Sequence, residues 1–137
     1  MLLSPASKRF LTRYMDLIDE LNLQKLFNQA SLEFNDRIIN EITSALLEVG
    51  ISPNDIHQAK VNNCIKLLDE AFEDIHNRKY VCDGITLKTF FEVYLLNKLG
   101  LTEDDVYQIL SENQSKWNIA VYERTDGYGS QKFISIL

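Results

Sequence analysis

Apolar residues return every three or four positions through most of this chain, and every second position only near its end. Phe10, Tyr14, Leu17, Ile18 and Leu21 recur at helical spacing with Arg13, Asp16, Asp19 and Glu20 between them, which predicts an amphipathic first helix from a Ser7 cap to about Leu26. Asn35 is placed to cap a second, whose stripe is Ile38, Ile42, Ala45, Leu46 and Val49 and whose stop is Gly50. The third has the strongest start, with Ser52 at the N-cap, Pro53 at the first helical position and Asp55 in the first turn. Val61, Cys64, Ile65, Leu68, Phe72 and Ile75 carry it to about Asn77. Such a helix is roughly 37 Å long by the rise per residue, more than a compact core of this size needs. Part of helix 53–77 is therefore expected to pack on a partner, a second copy of the chain included.

Between Arg78 and Gly84 the periodicity lapses, and Asp83-Gly84 reads as a turn. A fourth helix, from about Thr86 to Leu99, is apolar on most sides, as a central buried helix is. Thr102 is placed to cap a fifth, with Asp105 in its first turn, Val106, Ile109 and Leu110 facing inward and an end near Asn113. From Lys116 the period changes to two through Trp117, Ile119 and Val121, and a second apolar run covers Lys132 to Leu137. The stretch from Thr125 to Ser130 between them predicts a hairpin with a medium loop. The fold class expected is mainly α with a C-terminal β-hairpin, an α+β chain of five helices. Its 137 residues suit one domain with one core, residues 1–77 an acidic helical part and residues 85–137 the last two helices and the hairpin.

The order of helix four, short turn, helix five and hairpin resembles that of winged-helix domains. The stretch Leu95-Leu-Asn-Lys-Leu-Gly100-Leu-Thr-Glu-Asp-Asp-Val106-Tyr-Gln-Ile109-Leu110 looks like their helix-turn-helix, with Gly100 at the turn glycine and Leu101, Val106 and Ile109 at buried positions. Leu96 departs from the motif, which usually has a small residue there. The resemblance implies that helix five enters a major groove and touches bases and phosphates with its N-terminal residues. Those residues are Glu103, Asp104 and Asp105, and from Glu103 to Asn113 there are four carboxylates and no Lys or Arg. Insertion between two phosphate chains is repulsive for such a helix. Tyr122, Arg124, Tyr128 and Lys132, in and around the hairpin tip, are the candidate nucleic-acid contacts, as in winged-helix wings.

Charge turns the expectation toward a protein partner. Fourteen basic against twenty acidic side chains leave a net charge of −6, which repels phosphate at long range. Residues 1–77 hold twelve of the acids and seven of the bases. Asp16, Asp19, Glu20, Asp69, Glu70, Glu73 and Asp74 are the candidate partner contacts, carboxylates that suit the basic surface of a protein that itself binds nucleic acid. The function expected is a non-catalytic, macromolecule-binding regulatory protein, for example an immunity protein or a phage-type inhibitor. The alternative is a winged-helix-like transcriptional regulator.

Chemistry finds little support. Gly127-Tyr128-Gly129 lacks a third glycine and a following helix, so it is no phosphate cradle, and no Gly-x-Ser-x-Gly elbow occurs. Asp69, Glu73 and His76 share one helix face, and Glu73 to His76 has the Glu-x-x-His spacing of carboxylate-bridged metal bundles, which need two such motifs. Neither a metal nor a cofactor is expected, and no catalytic residue. Cys64 reads as a small core residue and Cys82 as a loop cysteine, too few for a disulfide scaffold. With no apolar run of membrane length and no secretory leader, the expected location is the cytoplasm.

Overall fold

Ser4, not Ser7, opens the first helix: its Oγ accepts from the Ser7 N–H at 3.3 Å, and Pro5 takes the first helical position. The computed structural model describes residues 3–79, 82–95 and 100–137. In it the predicted first helix is divided among α1 (Pro5–Arg13), α2 (Met15–Asp19) and α3 (Leu23–Glu33). The first break falls at Tyr14, and the second at Leu21, which adopts a left-handed φ of 55°. There Leu21 N–H donates to the Ile18 carbonyl at 3.1 Å and Asn22 N–H to the Leu17 carbonyl at 2.8 Å, the paired bonds of a Schellman stop. Phe10, Leu17, Ile18, Leu23 and Leu26 all pack on or into one core across the breaks, so the apolar period runs on where the helix does not.

α4 (Asp36–Glu48) begins as expected, with Asn35 Oδ1 accepting from Arg37 and Ile38 N–H. It ends in the same pair of bonds, from Gly50 N–H to Leu47 and from Ile51 N–H to Leu46, both 3.1 Å, with Gly50 at φ 92°. α5 (Pro53–Asn77) follows, the Ser52 carbonyl accepting from Ile56 N–H at 3.1 Å.

Contacts divide the chain into two compact units, residues 1–64 with 97–100, and residues 65–96 with 101–137, so the boundary falls inside α5. The first unit is helical. Phe10, Leu26, Phe27, Ile39, Ile42 and Leu46 are its innermost side chains, joined by Ile56 and Ala59 of α5, and each large one contributes about 1.5–3 kcal/mol by leaving water. Asn63 is buried there with its groups paired: its Nδ2 donates to Ser31 Oγ at 2.9 Å and its Oδ1 accepts from Asn28 Nδ2 at 3.1 Å. Gly100 is gripped on both sides of its backbone. Its N–H donates to Asp36 Oδ1 at 3.3 Å, and its carbonyl accepts from the buried Lys60 Nζ at 3.2 Å. Burial pushes the Asp36 carboxyl above its ordinary pKa, against the opposing pull of the Gly100 N–H and the Lys60 charge.

The second unit carries a three-stranded antiparallel sheet in the order β1-β3-β2. The Asp83-Gly84 pair expected as a turn lies instead in β1 (Cys82–Thr86), whose register with β3 shifts between Cys82 and Ile85. An irregular strand this short has no alternation to read. Thr86 Oγ1 caps α6 (Leu87–Phe90), which passes into a π-helical stretch, Phe91–Leu95. The remainder of the predicted fourth helix, Leu96 and Leu99 included, lies outside the described residues. α7 (Glu103–Glu112) starts from Thr102, whose Oγ1 accepts from Asp105 N–H at 3.2 Å.

Trp117, expected at the head of a strand, instead ends a short helix, α8 (Gln114–Trp117), and Asn118 in the left-handed region turns the chain into β2 (Ile119–Asp126). β2 pairs with β3 (Gly129–Ile136) from Ile119↔Ile136 to Asp126↔Gly129, so the connection is two residues rather than a medium loop. Phe72 of α5 stacks on Phe90 at 5.5 Å and meets Trp117 at 5.3 Å, and Leu68, Ile75, Leu110, Ile134 and Ile136 are buried in the same unit. Of the apolar stripe of α5, Cys64, Leu68, Phe72 and Ile75 are buried within the chain, while Val61 and Ile65 are half-buried. The fold is α+β as expected, with eight α-helices among the described residues in place of five. None of them is long and apolar enough to cross a membrane.

Candidate functional site

α7 turns Val106, Ile109 and Leu110 inward and leaves Glu103 and Asp104 exposed in its first turn, with Asp105 half-buried. Carboxylates are favourable at that end of a helix, because they face the positive end of its dipole. The same placement gives the first turn of α7 an anionic surface. Lys132 reaches it from β3, with Nζ 3.0 Å from Asp104 Oδ1 and 5.7 Å from the Tyr107 ring centroid. The hydrogen bond to Asp104, aided by Glu123 and Glu103, raises the pKa of Lys132.

Alternation along the hairpin separates the four expected nucleic-acid contacts. Arg124 is opposite Gln131 and Tyr122 opposite Phe133, while Lys132 is opposite Glu123 and so points from the other face. On the Tyr122 face, Tyr122 and Phe133 stack at 5.6 Å, and the Arg124 guanidinium stands 5.1 Å from one ring and 5.6 Å from the other. Tyr128 is fully exposed in the two-residue turn. The structure therefore joins Tyr122 and Arg124 with Phe133, which sequence reading missed, and sets Lys132 with Asp104.

Among the α5 acids, Glu70, Glu73 and Asp74 are exposed on one face, and Asp74 pairs with Arg78 at 3.2 Å. Asp69 is engaged inside the second unit: Oδ1 accepts from Trp117 Nε1 at 2.6 Å and lies 3.0 Å from Lys116 Nζ. His76 is likewise engaged, its Nε2 2.8 Å from the Trp117 carbonyl. Since a carbonyl only accepts, that nitrogen carries the proton. Among the described residues no group of three or more His, Cys, Asp or Glu is placed to hold a metal ion. Asp16, Asp19 and Glu20 lie exposed on α2 and its cap in the first unit. Cys64 is fully buried, as expected, and burial pushes its thiol up to about 12, which keeps it neutral and unreactive near pH 7. The side chain of Cys82 lies outside the described residues.

Sequence reading missed one further feature, an open cleft of about 420 Å³ in the first unit, between the α2–α3 corner and the first half of α5. Leu21, Asn22, Leu23 and Gln24 line it on one side, and Asp55, Gln58, Ala59 and Asn62 on the other. Comparison with protein-family models, curated proteins and solved structures finds no match to this chain.

Proposed function

We propose that the chain is a non-catalytic protein-binding module, and that exposed carboxylates of its winged-helix-like second unit hold the basic surface of a partner that itself binds nucleic acid. The order of α6, α7 and hairpin, with the hairpin joined to β1 in one sheet, supports the winged-helix-like description. The observation that carries the functional reading is the first turn of α7. The end of the helix that would meet phosphate presents Glu103 and Asp104, and the nearby cation Lys132 is already paired with Asp104. Such a surface repels a groove and attracts Lys and Arg, with association hastened by the charge of the whole chain. Glu70, Glu73 and Asp74 offer a second run of exposed acid in the same unit.

The test has two arms. Titrated with generic duplex DNA at low salt, the protein is expected not to bind; binding that weakens steeply with added salt would overturn the reading in favour of a DNA-binding regulator. In the second arm a partner is cross-linked in extract of the native host, purified and titrated. Charge reversal at Glu103 and Asp104, and separately at Glu70, Glu73 and Asp74, is expected to weaken the complex about tenfold or more in at least one set. Unchanged affinity in both sets would remove the acidic surface from the interface.

A further inference from the structure

We propose that the cleft between the α2–α3 corner and α5 binds an extended peptide segment that carries a Lys or Arg side chain. This inference concerns the first unit alone and does not depend on the acidic surface of α5 and α7.

The cleft's 420 Å³ lies within the range of about 300–1,000 Å³ that small-ligand sites occupy. Its lining has a defined chemistry: Asn22, Gln24, Gln58 and Asn62 bring carboxamides, Asp55 brings a carboxylate, and among the described residues no Lys, Arg or His lines it. A cationic side chain entering the cleft meets Asp55. Each carboxamide offers both an acceptor and a donor group, as a peptide unit does. Gln58 Nε2 donates to Asn62 Oδ1 at 3.1 Å, one turn along α5. That bond holds the two side chains together and leaves Gln58 Oε1 to accept and Asn62 Nδ2 to donate, the complement of the N–H and C=O of a peptide backbone. Leu23 and Ala59 give the cleft a buried apolar floor. Among the described residues no aromatic ring lines it to stack on the apolar face of a sugar.

Leu21 supplies an independent observation. It holds a left-handed backbone that disfavours any residue with a Cβ, and its side chain is still 60% exposed at the rim. The strain is therefore not offset by core burial. A leucine there gives an incoming side chain an apolar surface, which the glycine at the equivalent corner after α4 does not.

The test begins with selection from a random displayed library of short peptides against the full chain. The selected peptide, synthesised with blocked ends, is titrated into ¹⁵N-labelled protein. The sequences are expected to be enriched in Lys and Arg, with the largest shifts at the side-chain amides of Asn22, Gln24, Gln58 and Asn62. Gln58→Leu and Asn62→Leu should each weaken binding about tenfold. Asp55→Asn should weaken it several-fold and remove most of its salt dependence, and Leu21→Gly should weaken it without lowering thermal stability. Peptides without basic residues, shifts centred elsewhere, or affinity indifferent to Gln58→Leu and Asn62→Leu would each overturn the proposal. So would a mixture of neutral monosaccharides producing the same shifts.

Discussion

Helices α2 and α4 end in the same hydrogen-bond pattern, one with Leu21 at the left-handed position and the other with Gly50. In both, the N–H of that residue returns to the second carbonyl from the helix end, and the next N–H to the third. The residue differs because the surroundings differ. Among the described residues nothing lies near the place of Gly50's missing Cβ, so the position asks only for backbone freedom. Leu21 lacks that freedom and borders the cleft. The comparison separates a corner built to stop a helix from one that stops a helix and also presents a side chain.

Three substitutions probe this contrast. Gly100 combines a left-handed φ of 64° with a crowded site, where an added Cβ would stand 2.7 Å from Ile39 Cγ2. Gly100→Ala should cost about 2–4 kcal/mol, strain and overpacking together, read from urea unfolding of the full chain. Gly50→Ala meets open space and should cost about 1–2 kcal/mol from strain alone. A cost equal to that at Gly100 would mean that crowding at Ile39 relaxes freely. Leu21→Gly should stabilise by about 0.5–1 kcal/mol, since relief of strain outweighs the added freedom of the unfolded chain. If the variant is instead less stable, Leu21 serves the fold and the contrast fails.

The smallest effect is that of pH at Asp36, which holds the Gly100 N–H. Its folded pKa is raised by burial, so its contribution to stability is present below the unfolded value and is lost as pH rises through the folded one. Asp36→Asn keeps an acceptor for Gly100 and does not ionise. Its urea midpoint relative to the parent should therefore climb as pH rises through the carboxylate range; a flat difference would show that Asp36 titrates as if unfolded.

What the sequence discloses follows from how local each cause is. Asn35, Pro53 and Thr102 mark helix starts through groups within four residues, and all three helices begin where those residues place them. The stop after α2 is equally local but hidden, because leucine stands where glycine would announce it. β1 is irregular and depends on β3 for its pairing, so nothing near Cys82 reveals it. Trp117 imitated strand alternation while closing a helix whose exit depends on Asn118.

At the candidate surfaces, exposure of Glu70, Glu73 and Asp74 was legible from the helical period. The pairing of Asp69 with Trp117, and of Lys132 with Asp104, joins residues far apart in the chain and was not. The cleft carboxamides lie outside every apolar stripe, and hydropathy patterning passes over them.

The central place of β3 in the sheet has a consequence for the order in which the protein takes shape during synthesis. β1 leaves the ribosome before α6, α7, α8 and β2, yet among the described residues it pairs with β3 alone, and Cys82 waits for Ile136. The first unit waits as well, though less long, for the segment ending at Gly100. A nascent chain halted before β3 therefore displays β1 and β2 as unpaired edges, the form of backbone most prone to join a neighbouring chain.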